Sequence, residues 1–253
     1  MYFTSPFRAK LARGEPCIGP SITYSDPTVT ETLAPESDFL WIDTEHTPLS
    51  LESVIAHLLA ARACATPALV RVPVNETSAI KRLLDIGASG VIVPQVRTVA
   101  EVERAVADMR YPPVGRRGFG PRRPADYGRT SLEEHLSTAN ENVFAAVQIE
   151  TAEALESVEA IASVPGLDSI VLGPMDLSGA LGRLGDVGHP EVEAAMDRVI
   201  AAARAAGITV GIGMGADPAL AQRWITRGVH WVQLGCDFEY LLNGAQSAFA
   251  LGK

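Results

Sequence analysis

The segment Asp43-Thr44-Glu45-His46 closes a short apolar run and places one imidazole beside two carboxylates. That grouping suits general acid–base work. Asp43 could hold one ring nitrogen of His46, fixing its tautomer and raising its basicity. The competing reading is an ordinary turn histidine. Arg71 ends the apolar run Ala68-Leu69-Val70-Arg71. A guanidinium there must find anions, because burial without a partner is expensive. It could take a substrate carboxylate or a developing oxyanion, or pair internally with Asp43, Glu45 or Glu150. Glu150 and Asp176 each follow an apolar stretch, Val147-Gln148-Ile149 and Gly173-Pro174-Met175. An unpaired carboxylate is costly in such a place. On adjacent strands the two would share one hard cation with open coordination positions: Mg²⁺, Mn²⁺ or Co²⁺. Alternatively, Glu150 caps a helix starting at Thr151 or pairs with an arginine.

The other titratable groups offer less. The lysines are Lys10, Lys81 and Lys253, and none ends an apolar run where a desolvated Schiff-base amine would belong. Imine-forming aldolase and pyridoxal phosphate chemistry are thereby disfavoured. His57 lies in a helical stretch, His135 in a surface-like Glu-Glu-His run, His189 before Pro190 and His230 ahead of an apolar run. Cys17, Cys64 and Cys236 are odd in number and widely spaced. They suit packing in a reducing cytoplasm better than a disulfide frame.

These side chains need elements that aim them at one place. Eight short, near-continuously apolar runs are expected as parallel strands: Cys17–Ile22, Phe39–Asp43, Ala68–Val72, Gly90–Pro94, Ala145–Glu150, Ser169–Gly173, Thr209–Gly213 and Trp231–Gly235. Helical patterns separate them, at Leu51–Ala63, Ser78–Asp85, Val99–Met109, Thr151–Ser163, Val192–Ala206 and Pro218–Thr226. Glycine or proline follows most of these as a stop signal. Strict alternation without a linker predicts an α/β fold, a single (β/α)8 TIM barrel over residues 1–253. A doubly wound sheet is the alternative, but no Gly-x-Gly-x-x-Gly turn follows the first strand. In a barrel the candidate residues all project from the C-terminal strand ends. Tyr111–Asn142 interrupts the rhythm as a long loop carrying Arg116, Arg117, Arg122, Arg123 and Arg129. It is expected to bind an anionic acceptor tail, to pair with a neighbouring subunit, or to be a solvated loop.

With 253 residues the chain can bury a large core without a metal or disulfide scaffold. Its net charge of −9 argues against nucleic-acid binding but leaves room for a local cationic pocket. No run reaches the ~20 apolar residues of a membrane span. The first residues lack a basic n-region followed by an apolar one, so no signal peptide is expected.

Six stretches, in this order, resemble the HpcH/HpaI aldolase family. They are Trp41-Ile42-Asp43-Thr44-Glu45-His46, Val70-Arg71-Val72-Pro73, Leu83-Leu84-Asp85-Ile86-Gly87-Ala88, Arg110-Tyr111-Pro112-Pro113-Val114-Gly115-Arg116-Arg117-Gly118, Val147-Gln148-Ile149-Glu150 and Gly173-Pro174-Met175-Asp176-Leu177-Ser178. The resemblance runs from about Gly14 to Tyr240. It implies a divalent-metal-dependent class II pyruvate aldolase. Glu150 and Asp176 match the metal ligands, and His46 the base acting through water. Asp43 and Asp85 match acids supporting that histidine, Asp85 across a subunit contact. Arg71 matches the residue on the pyruvyl group. The Gly173-Pro174-Met175-Asp176 turn matches the carboxylate cradle, and Gln148 a wall of the site.

The implied reaction is reversible cleavage of a 4-hydroxy-2-oxo acid to pyruvate, or hydroxypyruvate, and an aldehyde. Met175, Gly213 and the Gly118–Arg123 stretch depart from better-known members, which leaves the aldehyde open. A citrate-lyase-β-like or malate-synthase-like acyl-CoA lyase is the alternative enzyme, and an oxo-acid sensor the non-enzymatic one. The amphipathic segment Phe238–Leu251 either closes its own barrel or exchanges with a partner. The resemblance favours exchange within a homohexamer built as a trimer of dimers.

Overall fold

Strand alternation decides where every candidate side chain ends up. In the computed structural model, which describes residues 4–250, eight parallel strands close into a barrel in sequence order. They are β1 (Cys17–Ile22), β2 (Leu40–Asp43), β3 (Ala68–Arg71), β4 (Gly90–Val93), β5 (Phe144–Ile149), β6 (Ser169–Leu172), β7 (Thr209–Met214) and β8 (Trp231–Cys236), with β8 returning to β1. The expected runs and the observed strands agree to within a residue at either end.

Residues of one parity face the barrel axis and the others face the helices. Phe39, Trp41, Leu69, Ile92, Phe144, Val171 and Trp231 form an inner cluster. Leu40, Ile42, Val70, Val91 and Ile170 belong to the outer cluster beneath the helices. Four aromatic rings pack together at the bottom of the barrel, with Phe7 and Phe39 tilted at 5.2 Å and Phe39 and Trp231 edge-on at 5.3 Å. Gly211 makes this possible, because a Cβ there would stand 2.1 Å from the Trp231 ring. Trp231 donates its indole N–H to Ser169 Oγ at 2.9 Å, so the buried ring keeps no orphan donor.

The connecting helices are α1 (Ser5–Ala12), α2 (Pro27–Leu33), α3 (Leu51–Ala63), α4 (Thr77–Asp85), α5 (Val99–Met109), α6 (Leu132–Asn142), α7 (Ala152–Glu156), α8 (Val158–Ala162), α9 (Pro174–Ala180), α10 (Pro190–Ala206), α11 (Pro218–Arg227) and α12 (Asp237–Ala248). Side-chain caps on Ser50, Thr98, Ser131, Thr151 and Asp217 start five of them. Gly207 and Gly228, both at positive φ, end α10 and α11.

Some expectations need correction. Thr151–Ser163 is two short helices, broken at Ser157, not one. The Tyr111–Asn142 stretch holds α6 and is not all loop. His135 is buried there against Tyr111 and Phe119. The loop arginines are largely used within the chain: Arg116 with Asp108, Arg117 with Asp85, Arg129 with Asp126, and Arg123 on the Ile86 carbonyl. Burial pushes the Cys17 and Cys236 thiols up to about 12, which fits packing and not nucleophilic use. Among the described residues no helix is long and apolar enough to cross a membrane. Leu251 and Lys253 lie outside the described residues.

Candidate active site

One turn of side chains above the aromatic floor, the inward parity switches from apolar to polar. Trp41 is followed inward by Asp43, Leu69 by Arg71, Ala146 by Gln148 and then Glu150. The β2–β3 register puts Asp43 directly beside Arg71. Their contact is bidentate: Arg71 Nε donates to Asp43 Oδ1 at 2.9 Å and Nη2 to Oδ2 at 2.7 Å. Arg71 Nη1 lies 3.0 Å from Glu45 Oε2 and donates weakly to Gln148 Oε1 at 3.3 Å. The guanidinium also sits 5.3 Å from the centroid of the Trp41 ring. Burial alone would lower the Arg71 pKa; the hydrogen bonds and charges of Asp43, Glu45 and Glu150 outweigh it and raise it.

The expected Asp43–His46 dyad is not what this chain forms. Both Asp43 oxygens serve Arg71, and Oδ1 also accepts the Glu45 N–H at 2.9 Å. His46 instead places Nε2 3.6 Å from Glu45 Oε2, with its side chain largely exposed at the mouth. Glu45 is thus the carboxylate shared by the His46 ring and the Arg71 guanidinium. Burial raises its pKa against the pull of Arg71. Glu45 lies two residues past the end of β2, in a bend, so strand alternation does not set its direction. Asp85 ends α4 and binds Arg117 at 2.7 Å, in a separate cluster from His46.

Glu150 is 3% exposed and does not cap the following helix; Thr151 does that. Its Oε1 accepts the Gln95 N–H at 2.7 Å and its Oε2 the Gln148 amide at 2.8 Å. Gln95 reaches this position only in the left-handed region, at φ 54°, a conformation no composition rule announces. Gly173 closes the other side, where a Cβ would stand 2.5 Å from Glu150 Oε2. Asp176 is exposed in the first turn of α9, just beyond Pro174 and Met175.

Burial, with the nearby negative charges of Asp176 and Glu45, pushes the Glu150 carboxyl up to about 7 despite the Gln95 bond and Arg71. Two carboxylates and no histidine or cysteine form an all-oxygen donor set that fits a hard divalent ion. Among the described residues, no group of three or more histidine, cysteine or acidic side chains forms a closed metal cage. An open site needs no third protein ligand, since water and substrate fill the rest.

The elevated Glu150 pKa has a testable sign. An acid whose pKa rises from 4.5 to about 7 on folding binds more protons folded than unfolded across that window. Its contribution is neutral below the unfolded pKa, becomes a growing penalty between the two values and levels off above the folded one at on the order of 3 kcal/mol. Metal-stripped Glu150→Gln protein is therefore expected to gain stability over wild type as pH rises from 4.5 to 7.5. Thermal unfolding of both proteins across that range measures it; a constant difference would reject the assignment.

The model of the HpcH/HpaI aldolase/citrate lyase family matches residues 23–244. A hydroxypyruvate/pyruvate aldolase of Pseudomonas aeruginosa is 38% identical over 94% of this chain and 88% of its own length. A 4-hydroxy-2-oxo-heptane-1,7-dioate aldolase of Salmonella typhimurium is 38% identical over 96% of this chain and 93% of its own. The crystal structure of a family protein from Burkholderia cenocepacia superposes with a TM-score of 0.89 at 35% identity, covering 96% of this chain and 97% of that one. Fold, length and near-complete sequence coverage agree, and the chain belongs to the HpcH/HpaI aldolase/citrate lyase family.

Proposed function

We propose that this protein is a class II pyruvate aldolase, a carbon–carbon lyase that reversibly cleaves 4-hydroxy-2-oxo acids to pyruvate or hydroxypyruvate and an aldehyde. The observation that carries the reading is the buried Glu150 carboxylate, charged only at a penalty and facing Asp176 and Arg71 across the barrel mouth. Named aldolases at 38% identity over nearly the full chain support the same conclusion. Glu150 and Asp176 would hold a divalent ion, which when bound supplies Lewis-acid charge opposite the 2-oxo group.

The chain's own residues do the rest. Arg71, fixed by Asp43 and Trp41, offers its charge to the substrate carboxylate or to the oxygen on which negative charge develops. The N–H groups opening α9, at Met175 and Asp176, would cradle the substrate carboxylate beside Gly173 and Pro174. Gln148 keeps Glu150 and Arg71 in register through one amide. In the synthetic direction His46 takes a proton from the pyruvate methyl group, directly or through water. The carbon left with the electron pair attacks the aldehyde carbon, and the new alkoxide is protonated; cleavage reverses these steps.

Asp85, bound to Arg117 within its own chain, would support His46 only from a neighbouring subunit. Leu241 and Leu242 of α12 are 65% and 53% exposed, an apolar strip suited to the exchanged helix of a hexameric trimer of dimers. Cytoplasmic location and use in aromatic or sugar-acid catabolism fit the same reading.

Solvent deuterium should exchange into the pyruvate methyl group with protein and Mg²⁺, Mn²⁺ or Co²⁺ present. Chelation with EDTA should stop both that exchange and pyruvate release from a 4-hydroxy-2-oxo acid. Activity surviving thorough chelation rejects the metal-dependent reading. Cleavage of an acyl-CoA thioester without methyl exchange would assign the citrate-lyase-like alternative instead.

A further inference from the structure

The barrel face opposite the mouth carries a cavity of about 480 Å³ beneath α1 and the starts of β5, β6 and β7. Leu11, Phe144 and Ile208 form an apolar side, and Arg8 and Arg204 a cationic one with the neutral His230 ring beside them. Asp168 is the one carboxylate among the lining residues, and its oxygens are already engaged. Oδ1 accepts from Arg8 Nη1 at 2.8 Å; Oδ2 accepts from Arg110 Nη2 at 3.1 Å and from the Ala145 N–H at 2.8 Å. A single negative charge is therefore divided between two guanidiniums before Arg204 is counted.

Arg204 forms no ion pair or hydrogen bond through its side chain with any described residue. Its guanidinium lies against Gly228, where a Cβ would stand 2.7 Å from Nη2. His230 Nδ1 accepts the Val210 N–H at 3.0 Å, so the neutral ring carries its proton on Nε2 as a donor. Arg8 Nε–H is buried and has no acceptor among the described residues. The chain carries a net charge of −9, so an excess of cations in a concavity of ligand size is not a property of the surface at large.

We propose that this cavity is a second binding site, for a small dianionic oxyanion borne on a short carbon skeleton. Arg204 supplies the unpaired charge, His230 Nε2–H supplies a neutral donor, and Leu11 and Phe144 receive the skeleton. The oxyanion is a phosphate ester or a short dicarboxylate. The site does not depend on the aldolase reading, since none of its residues belongs to the mouth.

The test is isothermal calorimetry and thermal unfolding of the full chain with Mg²⁺ present, at ionic strength held constant with chloride. Inorganic phosphate, glycerol 3-phosphate and succinate are the probes. Saturable binding with a rise in Tm is expected for at least one probe, persisting in Asp176→Asn, a change at an exposed mouth position, and with excess pyruvate. Arg204→Gln, at an exposed position, should weaken it at least tenfold while methyl exchange of pyruvate is unchanged. Stronger binding of glycerol 3-phosphate assigns the phosphate headgroup, and stronger binding of succinate the dicarboxylate. Absence of saturable binding by every probe, equal affinity in Arg204→Gln, or loss of binding in Asp176→Asn would each overturn the proposal.

Discussion

Replacing His46 by alanine should slow aldol cleavage at least a hundredfold while metal affinity stays within a few-fold of wild type. Loss of a general base typically removes 10²- to 10⁴-fold, about 3–5 kcal/mol of barrier. His46 is exposed and borders the site without a hydrogen bond to Glu150, so its removal leaves that carboxylate intact. The separation of effects is the useful part. Methyl-proton exchange should fall with cleavage, because both need the same proton transfer. Calorimetric titration with Mn²⁺ should not change. Near-normal exchange in His46→Ala would show that another group moves the proton.

Removing the Arg71 side chain should be worse for the fold and comparably severe for turnover. In Arg71→Ala, Asp43 and Glu45 face one another at low exposure with no cation between them. Breaking a buried pair from one side costs about 3–5 kcal/mol, because the remaining charge is stranded. Loss of a positioned cation at a developing negative charge removes about 10²- to 10³-fold from turnover. Arg71→Lys separates the two effects. It restores charge but not the fork that grips both Asp43 oxygens, so stability should recover more than turnover does. Equal recovery of both would mean that charge alone is required. Denaturant midpoints and the KM for pyruvate, measured on both variants, decide between these outcomes.

The fold was readable because a strand covered on both faces must be apolar along its length, and eight such runs alternate with helical patterns. Arg71 and Glu150 were readable for the converse reason: a charge at the end of an apolar run needs a partner or a task. Pairing of Arg71 with Asp43 or Glu45 stood among the sequence alternatives, but the choice between it and an Asp43–His46 pair was not readable. Asp43 lies near His46 in sequence, yet the β2–β3 register sets it beside Arg71, and register is a tertiary property. The Gln95 N–H on Glu150 was invisible because it depends on a left-handed backbone at a residue with no special preference for it. His135 read as exposed from its acidic neighbours, while its ring packs on Tyr111 and Phe119 from a stretch that had looked irregular. The short helices α2 and α9 are too brief to show a period, and each is set by a proline in its first turn.

The polar ring and the aromatic floor share one strand parity, one step apart. An added or deleted residue within β2, β3 or β5 would turn Asp43, Arg71 or Gln148 outward among the helices and drive aliphatic side chains into the mouth. Evolutionary change in such a molecule is thus channelled: length variation is tolerable in the connecting segments and ruinous inside the staves. New acceptor preferences should arise by editing the rim, with the reacting centre inherited whole.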